Sequence, residues 1–144
     1  KFKPACQSAD LSQCSREEIG NAYDNAILYT DFFLGKVIEL LKENDKKFET
    51  ALFYVSDHGE SLGENGVYLH GLPPAIAPDA QLHVPAILWL GSRFNDVDFA
   101  ALRRKRDTRF THDNLAHTVL GTMEIESSVY RPAMDMLDGC RKPP

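Results

Sequence analysis

The stretch Ala51-Leu52-Phe53-Tyr54-Val55-Ser56-Asp57-His58-Gly59-Glu60-Ser61-Leu62-Gly63-Glu64-Asn65-Gly66, followed at a short distance by His70-Gly71, decides how this chain reads. Residues 51–56 are apolar, few and bounded by polar residues, which is the pattern of a buried strand. Asp57 and His58 come directly off its end. Successive side chains in a strand point to opposite faces, so these two share one ion only if the backbone leaves extended geometry, and Gly59 permits that turn. Ligands of α/β proteins sit off the carboxyl ends of strands, which is where the pair falls. An Asp oxygen with a His nitrogen suits Zn²⁺, with Mn²⁺ second, better than Ca²⁺ or Mg²⁺. His70 is too distant to lie beside His58 on one helix face. Gly63, Gly66 and Gly71 give the loop freedom to fold back, which puts His70 in reach of a second metal or a substrate phosphate. A lone Asp-His pair also reads as a turn cap with a partly buried histidine. The strand, the glycines and the second His-Gly together favour the metal site.

Upstream, Ser15-Arg16-Glu17-Glu18 is a capping box, and apolar residues then recur at helical spacing from Ile19 to Leu41. Asn44-Asp45 ends this long helix. A helix leading into a strand predicts an α/β layer architecture. Downstream, residues 59–78 are rich in Gly and Pro without a period and read as one long loop, a length that usually carries function. Val84 to Leu90 reads as a second strand, with Pro85 near its start where a missing amide is tolerated. A short helix is expected around Phe99 to Lys105. A further helix, capped by Thr111 or Asp113, runs through Leu115 to Leu120 and is expected to stop at Gly121. One more helical turn falls at Ala133 to Leu137.

The chain has 144 residues, 43% apolar and 26% charged, enough for one domain with a core. No run is long enough to span a membrane. A net charge of −5 argues against nucleic acid as a partner, because binding a polyanion requires Lys and Arg at its phosphates. Arg103-Arg104-Lys105-Arg106 is the one basic cluster and reads as a solvated face. The chain begins at Lys1 without a Met and without a signal-peptide pattern, so it is expected to be an excised piece of a longer protein. Cys6 and Cys14 bracket a short polar loop, and a bridge there would remove roughly 2.5 kcal/mol of unfolded-state entropy. Two free thiols are the alternative, and a metal pair fits less well because the spacing is long for a zinc knuckle. A bridge implies an oxidising compartment. Cys140 is left over, either free or paired outside the chain.

Ser56-Asp57-His58-Gly59-Glu60-Ser61-Leu62-Gly63-Glu64-Asn65-Gly66 and Tyr68-Leu69-His70-Gly71-Leu72-Pro73 resemble the zinc-loop motif of bacterial phosphoethanolamine transferases. These are the lipid A-modifying enzymes of the alkaline phosphatase and sulfatase superfamily, including those that confer polymyxin resistance. The resemblance extends to Asn21-Ala22-Tyr23-Asp24-Asn25 with Tyr29-Thr30-Asp31, to Val84-Pro85 and to Asp113-Asn114-Leu115, and Cys6 and Cys14 match one of the family's periplasmic disulfides. It implies a partial sulfatase-like layered sheet with flanking helices. It further implies that Asp57 and His58 bind the catalytic zinc and that His70 binds the phosphoethanolamine phosphate or an additional zinc. The family's other parts are an earlier glutamate ligand, a threonine nucleophile, another histidine and N-terminal membrane helices, none of which is matched in these residues. The resemblance therefore makes residues 1–144 the C-terminal part of one catalytic domain, soluble and inactive alone, from a parent protein at the periplasmic face of the inner membrane. Phosphatidylethanolamine would be the donor and lipid A or another envelope glycan the acceptor.

Three other readings compete. Gly59-Glu60-Ser61-Leu62-Gly63 fits G-x-S-x-G, which would make Ser61 the nucleophile of a serine hydrolase, although that elbow needs a tight turn from strand directly into helix. The same fold also serves phosphoglycerol transferases, sulfatases and phosphatases. A non-catalytic binding domain would carry the fold without metal. His83, His112 and His117 read as solvent or capping residues, since His112 and His117 lie five apart and do not share a helix face.

Overall fold

The computed structural model describes residues Lys1–Lys142. The chain divides into two compact units, Lys1–Gly91 and the residues from Ser92 onward.

In the first unit, helix α1 spans Arg16–Asn44. Its start is the expected capping box: the Glu18 amide donates to Ser15 Oγ at 3.2 Å, and the Ser15 amide donates to Glu18 Oε2 at 2.8 Å. That backbone hydrogen bond, helped by the Ser15 hydroxyl, holds the Glu18 carboxyl below its ordinary pKa. The bridge between Cys6 and Cys14 forms just before the helix, with Cα atoms 5.6 Å apart, and the Cys6 amide donates to the Glu18 carbonyl at 2.9 Å. Along the apolar stripe, only Ile19 is buried; Leu34, Val37, Ile38 and Leu41 are half-buried. Tyr29, Phe32 and Phe33 are 71%, 59% and 56% exposed, so the helix presents a wide aromatic surface that its own unit does not cover.

Strand β1 (Ala51–Val55) pairs antiparallel with β4 (Ala86–Leu90), with Ala51 opposite Leu90 and Val55 opposite Ala86. β4 begins after Pro85, which lacks the amide a ladder needs. The strand expected to be buried is only partly so: Leu52 is buried and its neighbours are half-exposed, because a two-stranded sheet leaves faces and outer edges uncovered. The segment expected to be one long loop contains short elements. β2 (Ser61–Leu62) pairs antiparallel with β3 (Tyr68–Leu69) around a 3₁₀ turn at Glu64–Gly66, and a single helical turn, α2 (Asp79–Leu82), follows.

In the second unit, α3 (Phe99–Arg104) is capped by Asp98, whose Oδ1 accepts from the amides of Ala100 and Ala101 at 2.8 and 3.1 Å. These backbone hydrogen bonds, that from Ala101 foremost, hold the Asp98 carboxyl below its ordinary pKa. Arg103 and Arg104 of the basic cluster sit in the last turn of α3, where cations suit the helix dipole. Helix α4 spans Asp113–Thr122. Neither Thr111 nor Asp113 caps it: His112 holds the cap position with no side-chain bond to the first amides of the helix, and Asn114 Oδ1 accepts from the Thr111 amide at 2.9 Å. Gly121 does not stop the helix. A Cβ there would lie 2.1 Å from Asp135 Oδ2 and 3.0 Å from Tyr130 Oη, so glycine serves close approach and the helix continues to Thr122. Asp135, buried, accepts from Tyr130 Oη at 2.9 Å and pairs with Arg141 Nη2 at 3.3 Å, and Arg141 also donates to the Gly121 carbonyl. Burial first, then the bond to Asp135, raises the Tyr130 phenol above its ordinary pKa. The turn expected at Ala133 to Leu137 is a 3₁₀ turn at Pro132–Met134. Cys140 is a free thiol and fully buried.

Candidate metal centre

The site grows from the end of β1. Ser56 Oγ donates to the His58 carbonyl at 2.7 Å, and the His58 amide donates to Asp57 Oδ1 at 3.1 Å, which bends the chain out of extended geometry. Asp57 and His58 then turn to the same side, with Asp57 Oδ2 3.7 Å from His58 Nε2. His58 Nδ1 lies 3.0 Å from the Gly59 carbonyl oxygen. A carbonyl oxygen only accepts, so Nδ1 carries a proton, and Nε2 on the Asp57 side is the nitrogen left to share a cation placed between it and the carboxylate. A tetrahedral ion with ligand bonds of about 2.0–2.1 Å needs neighbouring donors roughly 3.4 Å apart, so the observed pair fits a shared Zn²⁺ after a shift of a few tenths of an ångström. The Asp57 side chain is 88% exposed, leaving the outer side of the pair open for further ligands.

Gly59 has a steric role beyond easing the turn. A Cβ at Gly59 would lie 1.9 Å from the Ala80 carbonyl oxygen, and the Gly59 amide donates to the Gln81 carbonyl at 2.9 Å. α2 is thereby held directly against the end of β1. Gln81, buried, in turn donates through Nε2 to Ser61 Oγ at 2.9 Å.

The hairpin carries the second histidine back to the first. The His70 and His58 rings stack with centroids 3.8 Å apart and planes at 30°. His70 Nδ1 lies 3.2 and 3.3 Å from the two carboxylate oxygens of Glu60. His58, Glu60 and His70 each offer a ligand atom, all within 4.8 Å of one another. Glu60 was not among the expected site residues. Its signal is a carboxylate two residues after His58, on the path from the strand end into the hairpin.

Ser61 does not sit on the elbow that a serine nucleophile needs. It is 1% exposed, opens a strand rather than a strand-to-helix elbow, and its hydroxyl oxygen is occupied by Gln81. His83 lies at the end of α2, where its amide bonds the Asp79 carbonyl at 2.8 Å. His117 Nδ1 accepts from the Arg131 amide at 3.2 Å, a structural role.

Comparison with known proteins bears on what this arrangement serves. The Sulfatase family matches residues 1–125. The phosphoethanolamine transferase EptA of Salmonella typhimurium is 47% identical over 99% of this chain. The integral membrane lipooligosaccharide phosphoethanolamine transferase A of Neisseria meningitidis superposes with a TM-score of 0.93 at 44% identity over 99% of this chain, covering 27% of its own. The C-terminal periplasmic domain of phosphoethanolamine transferase EptC from Campylobacter jejuni superposes with a TM-score of 0.87 at 46% identity, over all of this chain and 46% of its own. The chain spans about a quarter of the length of the curated relative, 27%. The expected sulfatase-like fold is thus the observed one.

Proposed function

The chain belongs to the sulfatase family, and on that premise we propose that it is the C-terminal part of the catalytic domain of a phosphoethanolamine transferase, bearing half of a zinc site. The observation that carries this reading is the convergence of Asp57 Oδ2 and His58 Nε2 at 3.7 Å off the end of β1, in a chain nearly half identical to a transferase of that name. Two ligands fall short of the three or four a tight zinc site uses. The remaining ligand and the threonine nucleophile belong to parts of the domain beyond these residues. The uncovered aromatic surface of α1 and the two-stranded sheet suit packing against such parts, since exposed apolar patches of this kind mark contact surfaces.

Donor and acceptor are phosphatidylethanolamine and lipid A or another envelope glycan. Zinc, when bound, lowers the pKa of a coordinated hydroxyl and polarises a phosphoryl oxygen. Asp57 and His58 would hold the ion, with the Gly59 carbonyl fixing the His58 tautomer. His70 supports the phosphoryl group being transferred, because such transfers depend on positioning and electrostatics. The phosphoethanolamine group passes through a covalent intermediate on the threonine before reaching the acceptor. The bridge between Cys6 and Cys14 supports an oxidising compartment, which this reading takes to be the periplasmic face of the inner membrane. No helix among the described residues is long and apolar enough to cross a membrane.

The test uses the intact protein in detergent, with zinc content measured by mass spectrometry and transfer to lipid A followed by its mass increase. The expected result is that Asp57→Asn and His58→Ala each lower zinc occupancy and reduce transfer on the order of 100-fold. Undiminished transfer by metal-free protein, or by either variant, refutes the reading.

A further inference from the structure

We propose that Glu60 is a positioning residue that fixes which nitrogen of His70 works in the site, an inference that rests on the metal-centre reading and extends it. His70 Nδ1 lies almost equally far from both Glu60 oxygens, 3.2 and 3.3 Å. A carboxylate presents only acceptors, so a bare nitrogen lone pair facing it would be repelled, and Nδ1 must carry a proton. Nε2 is thereby the atom left for chemistry. It offers a lone pair to a cation when the ring is neutral, and an N–H to a phosphoryl oxygen when the ring is charged. In both cases the Glu60 contact is the same, and the stacking of His70 on His58 sets the plane of the ring.

Three features make Glu60 suited to orienting rather than to binding metal itself. Its side chain is only 25% exposed, against 88% for Asp57, so it faces inward while the metal-binding carboxylate faces out. It sits at the mouth of the hairpin, next to Ser61, whose buried hydroxyl is tied to Gln81, so its backbone is held on rigid structure. Both of its oxygens are directed at one N–H. A carboxylate that hydrogen-bonds the far nitrogen of a working imidazole fixes its tautomer and raises its basicity, and losing such a partner costs about 10–100-fold in affinity or activity.

The test reads the tautomer directly. In metal-free intact protein, long-range ¹⁵N–¹H NMR at a pH about two units above the ordinary imidazole value of ~6.5 reports which ring nitrogen bears the proton, with His70 identified by its absence in His70→Gln. Wild type is expected to show the protonated-type shift at Nδ1. Glu60→Gln, whose amide oxygen still accepts, keeps that pattern, and Glu60→Ala loses it to a mixture. With zinc restored, Glu60→Gln keeps the wild-type metal content, and transfer falls about 10–100-fold in Glu60→Ala with partial recovery in Glu60→Gln. A proton on Nε2 in wild type, an unchanged tautomer in Glu60→Ala, or the loss of a zinc equivalent in Glu60→Gln each overturns the proposal. If Asp57→Asn retains its zinc, the metal-centre reading fails while the His70 tautomer result stands on its own.

Discussion

Replacing Gly59 by Ala tests whether the metal-centre geometry depends on the close packing of α2 against the end of β1. The added Cβ would sit 1.9 Å from the Ala80 carbonyl oxygen, 2.9 Å from its carbon and 3.2 Å from Gln81 Cα. All three are backbone atoms, so no side-chain rotation relieves the clash, and the oxygen must retreat by about 1.1 Å merely to reach 3.0 Å. If α2 moves, the Gly59–Gln81 backbone hydrogen bond and the Gln81–Ser61 bond both stretch. If the end of β1 moves, Asp57 and His58 move with it. Overpacking of this kind costs about 1–3 kcal/mol, and losing one backbone hydrogen bond adds about 1 kcal/mol, for a total of about 2–4 kcal/mol. A misplacement near 1 Å at a working group lowers rate on the order of 100-fold. The assay is urea unfolding of the metal-free intact protein followed by zinc titration and transfer measurement. An unfolding free energy within about 0.5 kcal/mol of wild type, together with unchanged zinc affinity, would refute the packing argument.

Three further outcomes follow from the same structure. Ser61→Ala strands the buried Gln81 Nε2 donor and should cost about 1–3 kcal/mol of stability while leaving no fluorophosphonate labelling to lose, because wild type is expected not to label; specific labelling of Ser61 would restore the hydrolase reading. Removing the bridge with the double substitution Cys6→Ser and Cys14→Ser should cost roughly 2.5 kcal/mol from the entropy of its short loop, and equal unfolding midpoints with and without the bridge would contradict this. Asp98→Asn keeps a capping acceptor but removes the charge whose folded pKa is depressed. The wild-type advantage from Asp98 is therefore present above the unfolded carboxyl value of about 3.9 and is lost as pH falls through the lower folded value. Denaturation curves of the two proteins should converge in acid, and a gap that widens there would be inconsistent with the assignment.

What could be read from the sequence divides along the length scale of the interactions. α1 was legible at both ends, because its start is a reciprocal hydrogen-bonded box within four residues and its stripe repeats over many turns. The strand ahead of Asp57 and the strand after Pro85 were legible for the same local reasons. The two-residue strands β2 and β3 were not, since two residues carry no period, and α2 is a single turn that packs against Gly59 twenty residues upstream. Gly121 was read as a helix stop because glycine commonly marks one. Its role comes from Asp135 and Tyr130, more than eight residues on, which no local pattern reveals. At the site, Asp57, His58 and His70 stood out by position, adjacent off a strand end and followed by a glycine-rich loop with a second His-Gly. Glu60 did not, because an acidic residue among polar neighbours reads as surface, and its partner lies ten positions downstream.

The string Gly63-Glu64-Asn65-Gly66 explains how that partner arrives. Gly63 has φ 112° and a Cβ there would press on the Tyr68 ring at 3.0 Å, so only glycine lets Tyr68 close over the turn. Glu64 folds back, its carboxylate accepting from its own amide and from the Leu62 amide at 2.8 Å, contacts that hold its pKa below the ordinary value. Asn65 and Gly66 take the left-handed conformations at φ 54° and 76° that reverse the chain. The reversal pairs Leu62 with Tyr68 and Ser61 with Leu69, and the positive φ of Leu69, 61°, breaks the strand immediately before His70. A hairpin with only two pairs gains little stability by itself. Its anchors both lie at its open end, where Ser61 stands opposite Leu69: the buried Ser61 hydroxyl bonded by Gln81, and the stacked His58 and His70 rings. The hairpin that delivers His70 is thus held in part by the imidazole pair it assembles, which ties the local fold to the site it builds.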